Sequence, residues 1–145
     1  MIVLDTTILV FSGGRNHPLR APCQSLLAVI ESRQVRATTS VEVIQEFCHV
    51  RSRRTGAAEA AARAKDHLDL LRPLIRPDED DLAAGLEAYA VSGGRPGAFD
   101  AVLGATALRR QLPVVSADRG FGEMPGLIWI SPASASFLED CLAYG

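Results

Sequence analysis

The chain opens Met1-Ile2-Val3-Leu4-Asp5-Thr6-Thr7, three apolar residues running directly into a carboxylate and two hydroxyls. So short an apolar run, ended by polar residues, reads as a buried strand with Asp5 at its carboxyl end. The pattern recurs downstream. Pro113-Val114-Val115 leads into Ser116-Ala117-Asp118-Arg119-Gly120, Leu127-Ile128-Trp129-Ile130 follows a turn bearing Gly and Pro, and residues 35–39 make a further short strand. Helical stretches fill the intervals. Strands alternating with helices predict a parallel sheet covered on both faces: a three-layer α/β/α sandwich of four or five short strands with right-handed crossovers.

The helices have their own punctuation. Residues 18–33 carry helical apolar spacing at Leu26, Leu27 and Ile30. Ser40 is placed to cap a helix running to about Arg53, which Gly56 ends. Ala57–Leu71 is alanine-rich and strongly helical, and residues 73–77 are a brief extended piece closed by prolines. The acidic run Asp78 to Asp81 opens a helix to about Val91, complementing its dipole. Residues 92–97 are a loop, residues 98–110 a helix apolar on nearly every side and therefore buried, and residues 132–142 a closing helix. The helices between Ala57 and Val91 are expected to project beside the sheet as a hairpin.

The 145 residues suffice to bury a core without disulfides or a structural metal, so one domain is expected over 1–145. With 48% hydrophobic and 22% charged residues, the composition is that of a globular chain, and no apolar run approaches the roughly 18 residues of a membrane span. Cys23, Cys48 and Cys141 are widely spaced among apolar neighbours and read as buried thiols of a reducing compartment. With no basic leader before Asp5, the expected location is the cytoplasm. The net charge of −2 supplies no global attraction to a polyanion, so any nucleic acid must be held by local arginines and bound cations.

Ligands of an open α/β sheet collect outside the carboxyl ends of its strands. Asp5 and Asp118 lie at that edge by position alone, provided their strands are neighbours. Each has a second reading: Asp5 as the cap of a following helix, Asp118 as a turn aspartate. Asp100, near the start of the buried helix, reads equally as a ligand or as a first-turn acid stabilising the helix dipole. Glu46 sits at the margin of its helix's apolar arc, but Glu42 and Gln45 share that polar side, so the helical wheel alone does not select it.

Taken in order, Leu4-Asp5-Thr6-Thr7, Glu46-Phe47, Phe99-Asp100-Ala101 and Ser116-Ala117-Asp118-Arg119-Gly120-Phe121 resemble the motifs of PIN-domain nucleases, specifically VapC-type toxins of bacterial toxin–antitoxin pairs. The resemblance spans essentially the whole chain. It implies an Mg²⁺-dependent endoribonuclease, with Mn²⁺ able to substitute, in which Asp5, Glu46, Asp100 and Asp118 form the metal pocket and Thr6 and Ser116 are hydroxyls near the metal. It also implies a small antitoxin that blocks the pocket, and a homodimer. Many members carry another Asp two residues after the late one; Gly120 stands there, so one outer carboxylate is missing.

Other chemistries fit less well. His17, His49 and His67 fall on a loop and two helices with no common edge. Residues 92–97 lack the Gly-Lys-Ser/Thr ending of a phosphate loop and do not follow a strand. An aspartyl phosphatase needs a second Asp where Thr7 stands. A nonenzymatic module of the same fold, binding RNA or protein, is the remaining rival, and the four intact acids argue against it. Arg51, Arg53 and Arg54, with Arg109, Arg110 and Arg119, are candidate phosphate contacts that read equally as solvated charge. The Trp129 strand and the Ala57–Leu71 helix are candidate interfaces, though apolar residues there are more often core.

Overall fold

In the computed structural model, which describes residues 1–145, four strands form one sheet: β1 Ile2–Leu4, β2 Ala37–Thr38, β3 Val114–Val115 and β4 Trp129–Ile130. Their order is β2-β1-β3-β4 and every pair is parallel. Ile2, Val3 and Leu4 are all fully buried, and because successive strand side chains point to opposite faces, both faces of the sheet must be covered. This is the expected three-layer α/β/α sandwich. Leu4 pairs with Val115, so the chain leaves β1 and β3 at the same edge, and the Asp5 amide extends the ladder by donating to the Val115 carbonyl at 3.0 Å. The proline-bounded piece docks at the end of β2, where the Ile75 amide donates to the Thr39 carbonyl at 3.0 Å.

Seven α-helices surround the sheet: α1 Thr6–Ser12, α2 Arg20–Glu31, α3 Val41–Thr55, α4 Ala57–Leu71, α5 Glu79–Val91, α6 Ala98–Arg109 and α7 Phe137–Tyr144. A 3₁₀ turn spans Arg119–Glu123. Helix α1 is not anticipated by periodicity, because its seven residues make too few turns to repeat an apolar pattern. It starts where it does because the Asp5 side chain accepts from the Thr7 amide. Ser40 caps α3 as expected, and Gly56, at φ +84°, both ends α3 and begins α4. Helix α7 starts later than expected, since residues 132–136 form turns first.

Helices α4 and α5 do not form the expected hairpin beside the sheet. Helix α4 folds back along α3, with Arg51 opposite Glu59 and the Phe47 ring edge-on to His67 at 4.7 Å. Helix α5 instead runs antiparallel to α6. A Cβ added at Gly85 would lie 2.6 Å from Val102 Cα, so the two backbones approach too closely there for any side chain. The buried stripe Ala60, Ala64 and Leu71 is what α4 turns inward, which makes that helix core.

At the far end of the second hairpin, Asp78 and Asp81 form a reciprocal capping box. The fully buried Asp81 also accepts from Arg109 Nη1 at 2.6 Å and Arg110 Nη1 at 2.8 Å. A buried carboxylate persists only when its lone pairs are met, and here two guanidinium groups and a backbone amide meet them. The network fixes α6, and with it Asp100, against α5.

Candidate active site

Asp5, Glu46, Asp100 and Asp118 line one cavity of about 240 Å³, together with Thr6, Thr7 and an apolar wall that includes Val10 and Phe11. Each acid comes from a different element: the end of β1, the middle of α3, the first turn of α6 and the loop after β3. No lysine or arginine lines the cavity. Glu42 and Gln45, which the wheel could not separate from Glu46, line a neighbouring groove and not this cavity.

Asp5 is nearly buried and its Oδ2 is saturated: it accepts from the Thr7 hydroxyl at 2.7 Å, the Thr7 amide at 3.2 Å and the Ser116 hydroxyl at 2.7 Å. Each hydroxyl has one hydrogen, and both hydrogens point at Asp5. The 3.3 Å separation of Thr7 Oγ1 and Ser116 Oγ is therefore proximity and not a further bond. As acceptors the same hydroxyls take the Ala117 amide at 3.0 Å and the Asp118 amide at 2.9 Å. Thr7 and Ser116 thus lock the loop carrying Asp118 to the carboxylate of Asp5. Asp118 turns its Oδ1 to the Gly120 amide at 2.8 Å, and Thr6 donates to Glu46 Oε2 at 2.6 Å.

Asp100 is half-buried, and its carboxyl is pushed up to about 7, first by burial and then by the charges of Asp5, Glu46 and Asp118. Four carboxylates facing one another without a counter-charge are a donor set for a hard cation. No three carboxylate, histidine or cysteine groups stand close enough to enclose an ion by themselves. A cation held by these acids would have to complete its shell with waters or substrate oxygens, as Mg²⁺ commonly does.

The family model described as the PIN domain matches residues 2–127. The chain belongs to the PIN-domain family. It is 39% identical to Ribonuclease VapC7 of Mycobacterium tuberculosis over 141 residues, an alignment covering 96% of this chain and 97% of that protein. Its fold resembles VapBC2 from Rickettsia felis, crystallised on a promoter DNA fragment, with a TM-score of 0.69 at 18% identity over 90% of this chain and 98% of that one. A toxin–antitoxin complex from Klebsiella pneumoniae gives a TM-score of 0.66 at 19% identity, covering 92% and 99%.

Several polar residues of this PIN domain lie elsewhere than its sequence left open. Arg109 and Arg110 are held by Asp78 and Asp81, and Arg51 by Glu59 and the Gly13 carbonyl, so these three arginines already have protein partners. Arg53, Arg54 and Arg119 are exposed. Trp129 is half-buried and donates its indole N–H to the Ser116 carbonyl at 2.9 Å, which makes it a support of the site. His67 is edge-on to Phe47 and its pKa is lowered chiefly by burial, whereas His49 faces the neighbouring groove. Thr7 escaped sequence reading. The available signal was an Asp-Thr-Thr strand end, since a capped helix turns the second threonine back onto the capping carboxylate.

Gly120, where the family's outer Asp is missing, has a steric explanation. A Cβ there would lie 2.8 Å from Pro96 Cα, so the 92–97 loop packs against this position and leaves no room for a side chain. Beyond the acids, Glu46 and Asp100 also border an apolar groove of about 780 Å³ between α3 and the α5–α6 pair, into which Leu82, Leu86 and Phe99 project while remaining exposed.

Proposed function

We propose that this PIN-domain chain is a metal-dependent endoribonuclease and the toxin half of a type II toxin–antitoxin pair, with residues 1–145 acting as one nuclease unit. The observation that carries the reading is the gathering of four carboxylates from four separate elements in one cavity with no basic side chain. The relative with 39% identity over nearly its whole length is named a ribonuclease, and structures of the same fold include toxin–antitoxin complexes.

In this reading Asp5, Asp100 and Asp118 hold Mg²⁺ or Mn²⁺, and Glu46 holds a second ion or its water shell. The bound cation supplies Lewis acidity at the phosphodiester and a water of lowered pKa. The chain supplies the orientation. Thr7 and Ser116 occupy Oδ2 of Asp5 and leave Oδ1 for the cavity, Thr6 fixes Glu46, and Val10 and Phe11 form the wall that limits water. Hydrolysis leaves 5′-phosphate and 3′-hydroxyl ends.

The partners in this reading are an RNA substrate, a small antitoxin that covers the acidic cavity, and a second copy of the chain as a homodimer. The exposed apolar residues of the adjoining groove favour a protein partner on that face. No helix is long and apolar enough to cross a membrane, and three free thiols suit the reducing cytoplasm.

The deciding experiment compares RNA cleavage by the antitoxin-free chain and its Asp5→Ala variant, with and without Mg²⁺ or Mn²⁺. Metal-dependent cleavage by the parent alone, leaving 5′-phosphates, is the expected result. Equal activity of the variant sinks the carboxylate assignment, persistent 2′,3′-cyclic ends sink the hydrolytic scheme, and metal-dependent RNA binding without cleavage makes the chain a binding module.

A further inference from the structure

Phe11, which lines the acid cavity from the last turn of α1, carries the His17 imidazole stacked on it, with ring centroids 4.3 Å apart and planes inclined by 19°. His17 nevertheless remains exposed. Its Nδ1 accepts the Leu19 amide at 3.1 Å, which places the ring proton on Nε2 and fixes the plane of the ring. With one face against Phe11 and Nδ1 engaged, the opposite face and the Nε2 edge are what the ring offers to solvent.

The loop bearing this ring is tied at its root. Arg51 Nη1 donates to the Gly13 carbonyl at 2.7 Å, and Gln24 donates to the Ser12 carbonyl at 3.0 Å. Arg15 in the loop and Arg20 at the start of α2, which bracket His17, are exposed and form no ion pair. A fixed aromatic face, free guanidinium groups and a neighbouring cavity of carboxylates form a sequence that a polynucleotide strand can follow: base on ring, phosphate on arginine, scissile phosphate at the acids.

We propose that the exposed face of His17, backed by Phe11, is a stacking platform for an unpaired nucleobase of RNA beside the scissile phosphodiester. The proposal rests on the ribonuclease reading and adds a substrate property to it: the base must be unstacked from its neighbours, so the strand is single-stranded at that position. Were the pair only a loop closure, removing the imidazole would affect the fold and leave RNA untouched.

The test measures binding of a fluorescently labelled single-stranded hexaribonucleotide by anisotropy, with Ca²⁺ in place of Mg²⁺, to the full chain and to its His17→Ala and His17→Tyr variants. Base stacking on one aromatic side chain predicts that His17→Ala weakens binding about tenfold and that His17→Tyr, which keeps an aromatic face, retains it. An abasic residue scanned along the strand costs the parent about tenfold at one position and costs His17→Ala little more there, because both changes remove the same contact. Unchanged affinity in His17→Ala, or abasic losses that add to the substitution at every position, overturns the platform alone. A parent chain that binds no RNA overturns the platform and the ribonuclease reading together.

Discussion

The Ser116 hydroxyl reaches across 111 positions of sequence to donate to Asp5 Oδ2 at 2.7 Å. One short bond thereby joins the ends of two neighbouring parallel strands, and with the Thr7 hydroxyl on the same oxygen it decides which oxygen of Asp5 faces the cavity.

Removing either hydroxyl should loosen Asp5 without deleting a carboxylate. Ser116→Ala and Thr7→Val are expected to lower metal affinity or activity by about 10- to 100-fold, the usual cost of losing a group that orients a metal ligand. Cleavage rate measured against Mg²⁺ concentration checks this: the half-saturating concentration rises, and Thr7→Ser, which keeps the hydroxyl, restores it. Parent-like metal dependence in both variants would show that the hydroxyls do not orient Asp5.

Restoring the missing outer carboxylate should fail for steric reasons. Gly120→Asp forces a Cβ against Pro96, a form of overpacking that costs about 1–3 kcal/mol. The expected result is a lowered denaturant midpoint and no gain in cleavage at equal Mg²⁺. Gly120→Ala separates the two effects, because it adds the clash without the charge.

Asp81 should set the acid limit of stability. Burial pushes its carboxyl up, but the Asp78 amide and the Arg110 and Arg109 guanidinium groups outweigh this and hold it below the ordinary range. A carboxyl depressed in the folded state stabilises above its unfolded value, about 3.9, and that contribution is lost as pH falls through the folded value. Melting temperature followed against pH should therefore drop steeply below about pH 4 in the parent chain. Asp81→Asn should flatten that slope and lower Tm at neutral pH by roughly 5 °C or more.

Thiol reactivity should divide the cysteines. Burial pushes the Cys23 and Cys141 thiols up to about 12, and both are enclosed, whereas Cys48 is partly exposed. An aromatic disulfide reagent at about pH 8 should label Cys48 in the native chain and the other two only after denaturant is added. Three equivalents of rapid labelling would contradict the observed burial.

Much of the fold was legible because its signals are local. Apolar runs of two to four residues, Ser40 as a cap, Gly56 as a stop and the alanine-rich α4 each act within a few residues of their own position. Helix α1 is marked only by Asp5 as a cap, because seven residues are too few to display a period. The pairing of helices differs from the expected hairpin for another reason. Chain neighbours α4 and α5 offered a plausible hairpin, but helix partners are selected by complementary surfaces, such as Gly85 against Val102, and no single segment displays its partner's surface.

The candidate site divides along the same line. Asp5 and Asp118 are legible as strand-ending acids, because alternating strands and helices imply a parallel sheet, and a parallel sheet presents its strand ends at one edge. Long-range packing alone turns Glu46 and not Glu42 to those acids, brings Asp100 to the cavity, sets Thr7 beside Ser116 on Asp5, and pairs Arg109 and Arg110 with a buried Asp81. The difference is one of range: capping and apolar periodicity act over a turn or two of backbone, whereas a hydrogen bond between positions 5 and 116 exists only after the sheet has brought them together.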